Sequence, residues 1–378
     1  MEIHSAASFI ASILTVIYVF VVFTFIRGWN KLSYYRPQKT ALKTKVSILV
    51  AARNEAEIIR KTLDDLCAQS YDKALTEIIF IDDHSTDDTA EIIASYASKG
   101  VKLIRLNEDP ALNSYKKKAI QTAIGQSTGD LIMTTDADCR MGKDWLKTII
   151  SFYEEKDYKM ISSPVAYFEE KTFFERAQAL EFLYLIGLGA STIGNKKPST
   201  CNGANLAYEK AAFYEVGGFK GIDDLASGDD ELLLHKMAAR YDHHIGFLKN
   251  EDAVVYTHAK PTLGEFIQQR KRWASKSTRY KNKAIIVLGV AIWLFNVSIL
   301  LNIGIGLFDG YYFGLAVTQL LIKIFLEFIF LYQVTGFAKR RELLVLLPIL
   351  NLMHIVYLVY IGVAGNSGKY NWKGRMVK

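Results

Sequence analysis

Cysteine is scarce in this chain, with three among 378 residues: Cys67, Cys139 and Cys201. They are widely spaced, and no pair forms a C-x-x-C. That argues against a disulfide framework or a zinc site and suits a reducing compartment. No G-x-G-x-x-G or G-x-x-x-x-G-K-[ST] follows the first strand-like run, so dinucleotide and P-loop readings lose ground. Two segments lack acid altogether. Arg27 to Lys45 holds six Lys/Arg and Arg270 to Lys283 holds seven. Both flank apolar runs, so the formal charge of +7 reads as attraction to anionic lipid and carries little weight as a nucleic-acid footprint. No Lys or Arg precedes the first apolar run, and it has no small-residue cleavage pattern. It is therefore expected to stay as an anchor rather than be removed as a signal peptide.

What the chain does have is apolar length. Residues 7–26 are free of charge, and 284–308, 312–335 and 342–364 are three further stretches long enough to cross a bilayer. The stretch 312–335 contains Lys323 and Glu327, four apart on one helical face, expected to neutralise each other toward neighbouring helices. Between the first span and the others lie about 240 residues of ordinary globular composition, enough for one domain. The basic flanks put that part in the cytoplasm by the positive-inside rule. Four full crossings would then leave the basic "NWKGR" close (371–375) outside. If that tail stays inside, 342–364, with Pro348, Asn351 and His354, is the segment expected to be re-entrant or interfacial.

The globular part alternates strand and helix. "KVSILVAARNEAEIIRKTLDDLCAQS" reads as a strand (46–51) and an amphipathic helix (about 55–68) with Ile58, Leu63 and Leu66 on one face. "TEIIFIDDHSTDDTAEIIASYA" repeats the form, with strand 77–81 and a helix capped near Ser85. "VKLIRLN", "YKKKAIQTAIGQS" and "DLIMTTDADC" add strand, helix and strand. This order predicts an α/β fold with a mostly parallel sheet, in which ligands bind beyond the carboxyl ends of the strands. Arg53 to Glu55, Asp82–Asp83 and Asp136–Asp138 all fall at such ends.

Asp136 and Asp138 repel each other unless something positive sits between them. A divalent cation that also carries phosphate oxygens would serve. A polar loop after a core strand is the other reading of so short a motif. Further on, "TCNGANLAYEKAAFYEVGGF" sets small residues beside Asn202 and Asn205. In "SGDDELLL", Asp229, Asp230 and Glu231 open an apolar helix, where capping accounts for Glu231. "QQRKRW" closes the globular part with Gln269, Arg272 and Trp273.

With "AARNE", "IDDHSTDDT", "TDADC", "SGDDELLL" and "QQRKRW" present in that order, the chain resembles the inverting family-2 glycosyltransferases of GT-A fold over about Lys45 to Lys276. The flanking spans and the W-x-G-R-like tail resemble membrane-bound members, including ceramide-glucosyltransferase-like and polysaccharide-synthase-like enzymes. The resemblance implies residues 1–28 as anchor, 29–45 as basic linker, 46–280 as GT-A domain, 281–365 as membrane helices and 366–378 as tail. It implies a nucleotide diphosphate sugar donor, UDP-linked, and a lipid, lipid-linked or polysaccharide acceptor. The site would lie at the cytoplasmic face of a bacterial inner membrane.

Residue by residue, Ala51, Arg53 and Glu55 match the loop around the nucleoside, and Asp82 and Asp83 match its carboxylate contacts. Lys116 matches a lysine near the nucleotide. Tyr115 stands where glycine is usual, which leaves the choice among Lys116, Lys117 and Lys118 open. Asp136 and Asp138 match the acids that bind ribose and a Mg2+ or Mn2+ ion on the diphosphate. Asp230 matches the base that deprotonates the acceptor, with Asp229 beside it where glutamate is frequent. Gln269, Arg272 and Trp273 match the acceptor and diphosphate motif, and Asn202 and His258 are further candidates. An Asp-nucleophile phosphotransferase would need a Thr-like residue where Arg140 stands. A nucleotide-sugar sensor or assembly scaffold is the alternative, and it would not need Asp230.

Overall fold

The computed structural model describes residues 2–38, 41–107, 114–365, 370–372 and 375–377. It divides into two compact units. One comprises residues 31–169, 192–259 and 369–378; the other comprises 1–30, 170–191 and 260–368.

The strands of the first unit are, in chain order, β1 Val46–Ala52, β2 Thr76–Asp82, β3 Val101–Arg105, β4 Leu131–Asp136, β5 Arg140–Met141, β6 Met160–Ser162, β7 Val165–Tyr167, β8 Leu206–Glu209, β9 Ile245–Phe247, β10 Val255–Thr257, β11 Tyr370–Trp372 and β12 Arg375–Val377. Seven of them form one sheet in the order β3-β2-β1-β4-β8-β6-β9. β1, β2, β3 and β4 run parallel, and β8 lies antiparallel to β4 and β6. β1 can sit at the centre because it is apolar on both faces: Ile48, Leu49 and Val50 are fully buried. Each such side chain contributes about 2 kcal/mol relative to exposure.

The helix Ile59–Cys67 buries Ile59, Thr62, Leu63 and Leu66, the spacing of one helical stripe. It begins later than the sequence suggested, because residues 56–58 form a turn. The next helix runs Thr89–Ala94 with Asp88 at its N-cap. Ser85 therefore does not cap it; its hydroxyl accepts instead from the Asn54 amide at 3.0 Å. A separate three-stranded sheet has the order β5-β10-β7. In the tail, β11 and β12 pair antiparallel, while residues 366–369, 373, 374 and 378 of the expected W-x-G-R segment lie outside the described residues.

The second unit holds four helices long and apolar enough to cross a membrane: Ala6–Lys31, Lys283–Gly306, Gly310–Phe337 and Arg341–Ala364. Their outer faces expose large apolar side chains such as Phe20, Leu321, Phe325 and Val363, as lipid-facing helices do. Their inner faces carry matched polar groups. Lys323 pairs with Glu327, and the Tyr18 hydroxyl donates to Glu327 at 2.6 Å. Asn302 donates to Gln319 at 2.8 Å. Residues 170–191, and the helix Leu263–Ser275, group with these helices rather than with the sheet.

Candidate active site

The strand register collects the first cluster. Ala52 lies opposite Asp82 across β1 and β2, and Ala51 lies opposite Asp136 across β1 and β4. Strand spacing puts Asp82 and Asp136 roughly 10 Å apart on one sheet edge.

Two loops beyond that edge are laced together. Arg53 Nη1 donates to the carbonyls of Asp83 and His84 at 2.8 and 2.7 Å. The Glu55 amide donates to the Thr89 hydroxyl at 2.8 Å, and the Ala56 amide donates to Asp87 at 3.1 Å. Asn54 and His84 take up left-handed backbone, with φ of 52° and 55°. Arg53 thus braces the Asp82–Asp83 turn through its backbone. Asp83 is buried and its Oδ1 lies 3.0 Å from His84 Nδ1; Asp82 Oδ1 accepts from the Ser85 amide at 3.3 Å.

β4 ends at Asp136, and a turn closed by the Cys139 amide donating to the Asp136 carbonyl at 3.2 Å carries Asp138. The pair is therefore presented by a turn and not by continuous extended chain. Asp136, Asp138 and Cys139 form the one group of three acid, thiol or imidazole side chains among the described residues whose ligand atoms lie within 4.8 Å of one another. The two carboxylates suit a hard divalent cation. Burial, with Asp138 and Asp136 close by, pushes the Cys139 thiol well up, so a thiolate is not the expected third ligand. Thr257 Oγ1 stands 3.5 Å from Asp138 Oδ2. The exposed ring of His258, next along, stacks on Phe168 with centroids 4.4 Å apart.

Of the three consecutive lysines, Lys116 faces these carboxylates. Its Nζ donates to Asp136 Oδ1 at 2.7 Å and lies 3.3 Å from Asp229 Oδ2. Burial alone would lower the affinity of this ammonium for its proton, but Asp136 and Asp229 outweigh it and hold the pKa well above the usual lysine range. Lys117 turns inward and Lys118 is exposed.

The second cluster is built at a helix start. Asp230 caps the helix Glu231–Arg240, with Oδ1 accepting from the Glu231 amide at 2.6 Å. Its Oδ2 accepts from the Gly203 amide at 3.1 Å. A Cβ at 203 would stand 3.3 Å from Asp230 Cβ, a tight contact, and 3.4 Å from Asp229 Oδ2, an ordinary one. Capping therefore belongs to Asp230. Glu231 is instead buried and accepts from the Thr200 hydroxyl at 2.5 Å. Asn202 Oδ1 accepts from the Ala204 amide at 2.9 Å and so shapes the Gly203 turn. Asn205 holds the Pro164 and Ala253 carbonyls, both at 2.7 Å.

Gln269, Arg272 and Trp273 lie on the helix Leu263–Ser275 of the other unit, all partly exposed. On the same helix Arg270 is buried, bonded to Glu181 at 2.6 Å and set between the rings of Phe266 and Trp273.

The mostly parallel sheet, with carboxylates gathered at its strand ends, has the GT-A fold. A solved structure of the mannosyltransferase PcManGT from Pyrobaculum calidifontis, in complex with GDP-Man and Mn2+, shares the fold with a TM-score of 0.62. It is 19% identical and covers 95% of this chain and 98% of that one. Residues 47–217 match the model of Glycosyl transferase family 2, and this part of the chain is a family-2 glycosyltransferase domain.

A beta-monoglucosyldiacylglycerol synthase of Synechocystis sp. is 27% identical over 234 residues, 61% of this chain and 47% of that one. A poly-beta-1,6-N-acetyl-D-glucosamine synthase of Staphylococcus aureus is 27% identical over 235 residues, 61% and 53% of the two chains. The chain thus spans about half the length of these relatives.

Proposed function

We propose that this chain is an inverting glycosyltransferase. On this reading it moves a hexose or N-acetylhexosamine from a UDP-linked donor to a hydroxyl of a lipid or lipid-linked acceptor, at the cytoplasmic face of a bacterial inner membrane. The observation that carries it is the Lys116 ammonium, which bridges Asp136 of the D-x-D pair and Asp229, next to Asp230. One cation thereby ties the acids suited to a leaving diphosphate to the acid suited to an attacking hydroxyl. A sensor or scaffold would not need that link.

Asp82, Asp83 and the loop of Ala51, Arg53 and Glu55 hold the nucleoside. Asp136 and Asp138 would hold Mg2+ or Mn2+, which would supply positive charge to the departing diphosphate. Lys116 adds a fixed positive charge beside them. Asp230 takes the proton of the acceptor hydroxyl as its oxygen bonds to the anomeric carbon and the bond from that carbon to the diphosphate breaks. Attack from the face opposite the leaving group inverts the centre. The roles of Gln269, Arg272 and Trp273 rest on the resemblance alone, and Asn202 and His258 are further candidates without an assigned role.

The lipid acceptor is favoured by the apolar helices and by the Synechocystis relative, a beta-monoglucosyldiacylglycerol synthase. The Staphylococcus relative favours a polysaccharide instead. The test is UDP release by purified protein across nucleotide sugars, with and without membrane lipid extract. Release from one UDP-sugar, stimulated by the extract, is expected. No release from any donor under either condition would count against the reading, and a polymeric product would overturn the lipid acceptor.

A further inference from the structure

Lys117 follows the lysine of the site and points the other way. Its side chain is 1% exposed. An ammonium buried to that degree is tolerated only where dipoles or charges replace its water. Nζ donates to the carbonyls of Leu225 at 2.5 Å and Ser227 at 2.6 Å. Those carbonyls belong to the irregular segment that leads directly into Asp229 and Asp230. Gly228, between the second of them and Asp229, has a φ of 88°, so the chain turns sharply just where the latch ends. Farther up the same segment, Lys236 donates to the carbonyls of Gly218 and Lys220 at 2.5 and 2.9 Å.

The first turn of the helix Tyr115–Gln126 therefore grips one loop twice. Lys116 takes the Asp229 carboxylate, and Lys117 takes the backbone just before it. Loop carbonyls otherwise turn to water, and Lys117 holds these two instead.

We propose that Lys117 is a positioning residue. It latches residues 225–230 so that the Asp230 carboxylate stands at the distance from the nucleotide site that transfer requires, and it does so without touching substrate. The proposal rests on the reading of Asp230 as the base. A lysine that only fills the core would stabilise the whole domain. A latch acts on one loop and on one step.

Lys117→Met keeps the length and apolar stem of the side chain and removes the charge and the donors. The test measures UDP affinity by calorimetry, donor KM and kcat for the UDP-sugar found by the release screen, and amide hydrogen exchange. UDP affinity and KM should stay within about twofold, while kcat falls about tenfold or more, as misplacement of a catalytic group does. Exchange should rise in residues 219–229 and stay unchanged in β1, β2 and β4. A folded variant with normal kcat and normal loop exchange overturns the latch. So does one in which affinity, kcat and exchange across the sheet all worsen together. Should the Met variant fail to fold, Lys117→Gln, which keeps a shorter donor, is judged by the same readouts. Asp230→Asn run alongside separates the two ideas. If it transfers normally, the assignment of the base has failed, and loop exchange alone then decides the latch.

Discussion

Asp230→Asn is the sharpest test of the mechanism, because the structure separates what it costs the fold from what it costs the reaction. Asp230 accepts two hydrogen bonds through different oxygens, from the Glu231 amide and from the Gly203 amide. An amide has a single oxygen, so one of the two is lost and a buried backbone N–H is left unpaired, a cost of about 1–3 kcal/mol. Asparagine is as good an N-cap as aspartate, so the helix Glu231–Arg240 keeps its start. The variant should therefore fold, with a melting temperature lowered by a few degrees.

It cannot take a proton. Transfer should fall roughly hundredfold to ten-thousandfold, the range for a positioned general base, or about 3–5 kcal/mol of barrier. That is well outside the stability effect. UDP affinity, measured by calorimetry, should remain within about twofold, since no nucleoside contact is altered and the expected difference is small on the scale of one hydrogen bond. Asp229→Asn removes half of the Lys116 bridge and should cost less. Normal transfer by Asp230→Asn, or a dead Asp229→Asn beside an active Asp230→Asn, would refute the assignment.

Four further outcomes are expected. Asp138→Asn should lower cation-dependent turnover about hundredfold or more, and excess chelator should weaken UDP binding to the unaltered protein; full activity in chelator refutes the site. Gly203→Ala, whose Cβ meets Asp230 at 3.3 Å, should reduce kcat about tenfold with UDP affinity retained; unchanged kcat means the contact is slack. Glu327→Gln should leave Lys323 buried without its anion and destabilise the detergent-solubilised protein by about 3–5 kcal/mol, whereas Lys323→Met with Glu327→Leu should recover much of it; equal melting of single and double variants would refute the pairing. A cysteine introduced at position 373 should be shielded from an impermeant thiol reagent added outside, because the flanking strands β11 and β12 group with the unit that carries the sheet, which we propose to be cytoplasmic; labelling from outside in intact cells would refute that.

The parallel strands were legible because β1, β2 and β4 are apolar on both faces, and so were the acids at their ends. The start of the helix Thr89–Ala94 was misplaced because Ser85, a good cap by type, is taken by the Asn54 amide across the loop, a contact between segments that no local pattern encodes. The choice among Lys116, Lys117 and Lys118 was more legible than it looked. Ile120 and Ile124 are buried on this helix, and positions 117, 120 and 124 form one stripe at helical spacing. A lysine heading an apolar stripe must find carbonyls or acids. Which ones it finds depends on a loop more than a hundred residues away, and spacing says nothing of that. The same holds for Gly203: the sequence marks a small residue, but only the fold sets it against Asp229 and Asp230.

The charge balance of the site bears on where a cation should matter. Asp82, Asp83, Asp136, Asp138, Asp229 and Asp230 gather at the ends of parallel strands and at one helix start. Against them stand Arg53, turned to backbone carbonyls, and Lys116, shared between Asp136 and Asp229. A nucleoside diphosphate brings further negative charge. Each uncompensated pair of charges about 4 Å apart costs about 4 kcal/mol at an effective dielectric of 20, more than the hydrogen bonds of a base and ribose readily offset. Lys116 has three donors but one charge, already divided between Asp136 and Asp229, so it cannot by itself also neutralise a diphosphate. Added positive charge at Asp136 and Asp138 removes that conflict, leaving Lys116 to join the phosphates to the loop that carries the base. On this reading cation dependence belongs first to nucleotide binding, and the loss on chelation should already be visible in the UDP titration, before any sugar moves.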